Sequence, residues 1–251
     1  MAAEGQAGGG FELDPLHQFE LTPLVPIHIG ELNLSLTNSA LWMLIAVAVC
    51  TALLTLSMRG RALVPGRMQS IAELLYEVGA NMLRESTGAD GRKYFPFTFT
   101  LFMFLLFGNL LGLIPGSFTF TSHIIITFAL AALVFLGTTV IGFALHGAHF
   151  LKFFVPEGSP SWAAPMLVLT ELISYLSRPI SLSVRLFANM LVGHTLLKTL
   201  AAFVIPLGIA GILPLAAAVA VTALEVLVAV LQAYVFAILS CIYLNDALHM
   251  H

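Results

Sequence analysis

Charged residues are scarce in this chain. Asp, Glu, Lys and Arg together make up only 9% of its 251 residues, while hydrophobic residues make up 59%. Soluble globular domains usually contain about 25% charged residues. The composition therefore excludes an ordinary soluble domain, and we interpret the chain as an integral membrane protein.

The sequence also lacks a basic excess and a cysteine framework. The formal net charge of -3 gives no indication of nucleic-acid binding. The two cysteines, Cys50 and Cys241, lie within apolar runs, where a thiol behaves as a small hydrophobic side chain. No P-loop, nucleophile elbow or HExxH motif is present. We therefore predict no cofactor, no metal site and no catalytic site in this chain.

Lysine and arginine are absent from residues 1–58 and concentrated in residues 59–93. By the positive-inside rule, this basic loop faces the cytoplasm and the N-terminus lies outside. Residues 1–40 then form an outer N-terminal lead, and the uncharged run 41–58 forms the first transmembrane helix. The same rule predicts a cytoplasmic C-terminus.

An amphipathic helix is predicted within the basic loop, over residues 67–86. Its apolar side chains recur at helical spacing, opposite a charged face. Such a helix runs along a surface rather than across a membrane. It either packs against other helices or lies in the membrane interface, and the sequence leaves both interpretations open.

Three longer apolar regions follow. Residues 96–145 contain no charged residue and are interrupted by Pro115 and Gly116, which predicts a transmembrane hairpin with an outer turn. Helical patterns over 162–203 and 214–248 would be about 60 Å and about 50 Å long. Because the bilayer core is about 30 Å thick, both helices must tilt by more than about 50° unless proline breaks the first.

These regions together predict an all-α membrane protein that forms a single membrane domain. It contains about five membrane-embedded helices and one surface amphipathic helix. The last two helices form a long, steeply tilted hairpin, so any side chain with a function in the membrane is expected there.

Ionisable side chains inside these two long helices are the candidates for function, because each costs about 2.5–3.5 kcal/mol at the membrane centre. Arg185 has no carboxylate within reach along its own helix. Polar residues share its helical face, and this set is Glu171, Ser174, Arg178, Ser181 and Asn189.

His194 points almost opposite to Arg185, which indicates that the two residues serve different partners. The last helix carries Glu225 and Gln232 on one face, seven residues apart. Because His194 and Glu225 both lie in the outer halves of their helices, we predict that they are in contact. The set of ionisable residues indicates an ion path.

Two other functions remain compatible with the residues alone. A secondary transporter would use Arg185 to hold an anionic substrate, but no inverted repeat supports it. A membrane scaffold without conduction would leave the buried ionisable residues unexplained. Only an ion path accounts for all three ionisable residues, Arg185, His194 and Glu225, on two neighbouring membrane helices.

Two segments of the last helices resemble the signature of subunit a of the bacterial F-type ATP synthases: RPISLSVRLFANMLVGH and LEVLVAVLQAYVFAILSCIYLNDA. The N-terminal DPLHQFEL and the hairpin segment FTFTLFMFLLFGNLLGLIPG fit the same family in the same order. The resemblance implies a proton-conducting stator subunit in the bacterial inner membrane. Its implied partners are the c-subunit ring, the b-type peripheral stalk subunits and the rest of the ATP synthase.

The resemblance also implies roles for individual residues. Arg185 matches the essential arginine that meets the carboxylate of each passing c subunit, and Glu171 matches an acid near the cytoplasmic half-channel. His194 and Glu225 match an acid and histidine pair, although the two types are exchanged relative to some better-known bacterial members. The other implied members of the proton path are Ser181, Asn189 and Gln232. A neutral imidazole suits proton relay better than sodium coordination, so we expect the coupling ion to be the proton.

Overall fold

The computed structural model describes residues 22–25, 28–29, 32–33, 35–60, 64–114, 116–147, 149–150 and 164–249. Most of the predicted N-terminal lead lies outside the described residues. Four short strands precede the first helix. They form two antiparallel pairs, β1 (Pro23–Val25) with β4 (Leu36–Thr37) and β2 (His28–Ile29) with β3 (Leu32–Asn33).

Helices make up nearly all of the described chain beyond Thr37. Five of them are long and apolar enough to cross a membrane, and the remaining one is amphipathic. The predicted all-α membrane fold is thereby confirmed. The helices are α1 (Asn38–Met58), α2 (Arg67–Thr87), α3 (Phe95–Gly112), α4 (Ile124–His146), α5 (Ala164–Val204) and α6 (Ile212–Leu248).

Capping and backbone chemistry explain where the structure differs from the predicted helix ends. Helix α1 begins at Asn38, earlier than predicted, because the hydroxyl of Thr37 accepts a hydrogen bond from the Ala40 amide (3.4 Å). Helix α6 begins ahead of Pro214, since proline is tolerated in a first helical turn. The turn before α6 contains Gly208 at φ 55°, a conformation that favours glycine.

Helix α5 is continuous through Pro179, although proline removes one backbone hydrogen bond. Its 41 residues span about 60 Å, and the 37 residues of α6 span about 55 Å. Both lengths exceed the bilayer core of about 30 Å. The steep tilt therefore stays a prediction, and the possible break at Pro179 does not occur.

Helix α6 lies at the centre of the packing, against both α3 and α5. Four small side chains recur at every fourth position of its buried face: Ala229, Ala233, Ala237 and Cys241. We call them the small-residue stripe. The amide of Asn109, on α3, is fully buried and donates to the carbonyl oxygen of Ala229 (3.3 Å). Small side chains allow helix backbones to approach closely, which accounts for this contact between a side chain and the neighbouring backbone.

Helix α2 fits both interpretations that the sequence left open, since it packs against other helices and also exposes apolar side chains. It packs against α1, α3 and α6 and buries Ala72 and Met82 in that contact. Ile71 and Leu74, on the same helix, are exposed. The helix is thus anchored on the bundle and still has apolar side chains free for a membrane interface.

Large apolar side chains are exposed along the other helices, including Leu44 of α1, Leu136 of α4, Ile173 of α5 and Leu227 of α6. Extended apolar surface of this kind is unfavourable in water and typical of lipid contact. The surface therefore agrees with the membrane location that the composition predicts.

The end of α6 lies beside the basic loop. The imidazole Nε2 of His249 is 3.2 Å from Oδ2 of Asp90, in the short 3₁₀ helix Asp90–Tyr94. The C-terminal end of α6 and the basic loop therefore share one side of the protein. The turns after α3 and after α5 lie at the other ends of their helices, which is the side predicted to be outer.

Candidate functional site

The contact predicted between His194 and Glu225 is confirmed. Nε2 of His194 lies 3.7 Å from Oε1 of Glu225, across the interface between α5 and α6. Only 14% of the His194 side chain and 3% of the Glu225 side chain are exposed. The Glu225 carboxylate accepts no hydrogen bond from the part of the chain that the structure describes. A buried acid next to an imidazole is a suitable pair for exchanging a proton.

Gly193 makes the approach of the carboxylate possible. A Cβ atom at this position would lie 2.6 Å from Oε1 of Glu225 and 3.0 Å from its carboxyl carbon. Real Cβ atoms almost never have a neighbour closer than 3.0 Å. The carboxylate thus occupies space that any other residue type would fill with its own side chain.

A third residue, Thr119, touches the histidine from the turn between α3 and α4. Its hydroxyl lies 2.9 Å from Nε2 of His194 and donates to the carbonyl oxygen of Gly112, at the end of α3 (3.0 Å). Thr119 is only 4% exposed. The turn between α3 and α4 therefore contributes directly to the surroundings of the His194 and Glu225 pair.

A second pair of polar residues crosses the interface of α5 and α6, further from the turn that joins these two helices. The amide Nδ2 of Asn189 donates to Oε1 of Gln232 (2.8 Å). Gln232 is buried, and its own amide nitrogen has no acceptor among the described residues. The buried face of α6 thus presents a carboxylate and an amide in sequence towards α5.

Arg185 has different surroundings. It is exposed, and so are Ser181 and Asn189, one turn away on either side. In the described ranges, no carboxylate lies within the 4.0 Å limit of an ion pair with Arg185. Exposed apolar side chains such as Val184 lie on the same stretch of α5 as this cation.

Glu171 and Ser181 lie on the same long helix but are not brought together with the polar pairs. Glu171 is half-buried and Ser181 is exposed. Neither side chain makes a hydrogen bond within the described part of the chain. Their position in a cytoplasmic half-channel stays a prediction.

An ion pair that was not predicted from the sequence joins the N-terminal half of α5 to the C-terminal end of α6. The guanidinium of Arg178 donates to Oδ2 of Asp246 (2.8 Å). The rings of Tyr175 and Tyr243 flank it, with centroids 5.2 Å and 5.1 Å from the guanidinium carbon. These four side chains line a cavity of about 10 Å³, which has room for about one water molecule.

Comparison with known proteins identifies the family. A model of the family described as "ATP synthase A chain" matches residues 40–245. The chain belongs to this family. The protein named ATP synthase subunit a in Parvibaculum lavamentivorans is 57% identical over 251 residues, which cover 97% of this chain and 96% of the relative.

Further relatives of the family extend the comparison. The protein of the same name in Paramagnetospirillum magneticum is 57% identical, over 95% of this chain and 99% of the relative. The one in Rhodospirillum rubrum is 55% identical, over 94% and 99%. The resemblance stated from the sequence is thereby confirmed, and the chain is a component of ATP synthase rather than one of its catalytic subunits.

The order of the contacts between α5 and α6 shows how far the sequence could have indicated the pair of Arg178 and Asp246. The three pairs between α5 and α6 follow antiparallel order: His194 with Glu225, Asn189 with Gln232, and Arg178 with Asp246. Counting polar residues outwards from the turn at Gly208 gives only this order, because Arg178 lies 30 residues before Gly208 and Asp246 lies 38 residues after it. No periodic pattern marks Thr119, because it lies in a turn.

Proposed function

We propose that the chain conducts protons between the outer aqueous phase and a rotating ring of c subunits, as the stator subunit of a bacterial ATP synthase. The observation that carries the proposal is the exposed Arg185. A cation on a membrane-embedded helix is unfavourable against lipid, so this face needs a covering partner with a negative charge. The c-subunit carboxylate that the family resemblance implies meets that requirement.

The outer half of the proposed path runs through the interface of α5 and α6. His194 and Glu225 accept protons from the outer aqueous phase, and Gln232 continues the polar surface towards Arg185. A proton delivered there neutralises a c-subunit carboxylate, which can then turn into lipid without a charge. The buried Glu225 beside His194 supports this outer half.

The other half of the path leads to the cytoplasm. The proton leaves the c-subunit carboxylate near Arg185 and exits past Ser181 and Glu171. Each proton moved across 100 mV supplies about 2.3 kcal/mol, so several are needed for each ATP formed by the rest of the complex. The b-type peripheral stalk subunits hold the stator against the resulting torque.

An exchange of the two paired residues tests the outer half-channel. We expect His194→Ala and Glu225→Ala each to reduce ATP-driven proton pumping in membrane vesicles, with a combined loss smaller than the product of the single losses. The exchange His194→Glu with Glu225→His keeps an acid and a base in contact and should recover part of the pumping.

Subunit recovery in the purified complex controls for loss of assembly. Thr222→Ala provides a matched control, because Thr222 is an exposed residue of α6 whose hydroxyl donates only to its own helix (Ala218 carbonyl, 2.8 Å). Independent losses that multiply, with no recovery in the exchanged variant, would contradict a shared role for the pair.

The orientation in the membrane is a separate part of the proposal. Single cysteines at Arg92 and His251, in a background without Cys50 and Cys241, should both react with an impermeant maleimide added from the cytoplasmic side. The contact between His249 and Asp90 supports the expectation that both positions share one side. Labelling from opposite sides would contradict the assignment of the half-channels.

A further inference from the structure

Thr119 lies outside the helices that carry the proposed path, yet its hydroxyl approaches His194 more closely than the Glu225 carboxylate does. The two atoms are 2.9 Å apart, whereas Glu225 lies 3.7 Å from the same ring nitrogen. Thr119 is also almost completely buried. Its hydroxyl therefore belongs to the surroundings that decide how the imidazole is held.

The hydroxyl of Thr119 has one hydrogen to donate. It donates that hydrogen to the carbonyl oxygen of Gly112, in the last turn of α3 (3.0 Å). Carbonyl groups at a helix end lack partners within the helix, and Gly112 accepts a second hydrogen bond from the hydroxyl of Ser117 (2.9 Å). With its hydrogen so engaged, Thr119 meets Nε2 of His194 as an acceptor.

The fit between the outer turn and α3 is close. A Cβ atom on Gly112 would lie 2.8 Å from Oγ1 of Thr119. Gly112 and Gly193 thus both leave room for a polar group that approaches the same imidazole nitrogen, Thr119 at 2.9 Å and Glu225 at 3.7 Å. Two oxygen atoms that approach Nε2 favour a hydrogen on that nitrogen.

We infer that Thr119 is a positioning residue for proton transfer: it accepts a hydrogen bond from Nε2 of His194, and so fixes the tautomer that leaves Nδ1 as the proton-accepting atom. The outer turn then sets both the orientation and the protonation pattern of the imidazole. This inference rests on the proposed role of His194. It adds a residue from a different part of the chain to the outer half-channel.

Three variants of the full complex in reconstituted vesicles test the inference. Thr119→Val replaces the hydroxyl with a methyl group of similar size and should lower proton conduction about tenfold, because an unfixed imidazole is poorly placed for transfer. Thr119→Ser keeps the hydroxyl and should conduct nearly as the unmodified chain does. Thr127→Val is the matched control, since buried Thr127 donates only to carbonyl groups of its own helix and its N-terminal cap.

Combination with His194→Gln separates positioning from a general structural role. Thr119→Val should cause no further loss once the imidazole is absent. A loss that multiplies with that of His194→Gln, or a Thr119→Ser variant as impaired as Thr119→Val, would overturn the inference. If His194→Gln alone left conduction unchanged, the proposed function of His194 would fail instead.

The tautomer has its own spectroscopic readout. Nitrogen NMR of the complex labelled with ¹⁵N-histidine, with the His194 signals assigned by their loss in His194→Gln, should show the hydrogen on Nε2. In Thr119→Val the same signals should show a mixture of the two tautomers. A hydrogen found on Nδ1 in the unmodified complex would overturn the assignment.

Discussion

Replacement of Arg185 by alanine is expected to abolish ATP synthesis and to leave the complex assembled. The guanidinium is exposed and makes no ion pair with any carboxylate in the described ranges, so its removal leaves no buried charge unpaired. In the proposed mechanism, the cation meets the ionised c-subunit carboxylate and repels protons that would pass directly between the half-channels. Synthesis and dye-reported proton leak in reconstituted vesicles measure both effects, and the leak should rise.

A lysine at this position should not replace the arginine. Arg185→Lys keeps a positive charge but loses the planar fork, and it introduces a group that can lose its proton when buried. Arg84→Ala is the matched control, because it removes an exposed cation from the amphipathic helix α2, which carries no residue of the proposed proton path. Coupled synthesis near the normal rate in Arg185→Ala would mean that the arginine has only a structural role.

Replacement of Gly193 by alanine is expected to have the second largest effect on proton conduction. Gly193→Ala adds a Cβ atom 2.6 Å from the Glu225 carboxylate, so the carboxylate must shift from the position that it holds beside His194. Because a displacement of about 1 Å at a reacting group can reduce a rate about 10²-fold, we expect proton conduction to fall at least about tenfold. Proton uptake by reconstituted vesicles measures the loss.

Two further variants show whether the effect of Gly193→Ala comes from the position of the Glu225 carboxylate. Glu225→Asp in the unmodified background withdraws the carboxylate by one methylene group without adding a Cβ atom at position 193, and it should lower the conduction likewise. Gly137→Ala provides the matched control, since the added Cβ has no neighbour within 4 Å in the described structure. A Gly193→Ala variant that conducts normally would show that the distance between Glu225 and His194 does not limit transfer.

Composition and periodicity were sufficient to predict the membrane helices, because each helix satisfies its own backbone hydrogen bonds within lipid and is a long run of mainly apolar residues. They also predicted the contact of His194 with Glu225, since both residues lie at similar depth on neighbouring helices. Helix ends were less predictable. The start of α1 depends on a cap by Thr37, and the turn before α6 depends on a conformation of Gly208, neither of which hydrophobic spacing reports.

Contacts between elements that are distant in the sequence were not predicted. Thr119 reaches His194 from a turn, whose residues have no fixed spacing relative to α5. The pair of Arg178 and Asp246 required the register of α5 against α6, which depends on side-chain packing along the whole interface. Gly193 matters because its missing side chain leaves room for the Glu225 carboxylate. A sequence pattern does not show which neighbouring side chain uses such room.

The small-residue stripe of α6 has a mechanical consequence. The interface of α6 with α3 contains almost no rotatable side-chain bonds on the side of α6, because the stripe consists of Ala229, Ala233, Ala237 and Cys241. The amide of Asn109 also donates directly to the Ala229 backbone. Such an interface resists sliding of one helix along the other, because side-chain rotation cannot absorb a displacement of the backbones. In the proposed mechanism, a moving ring drags on α5 and α6, the load passes through this stiff interface into α3, and the proposed proton path keeps its geometry under torque.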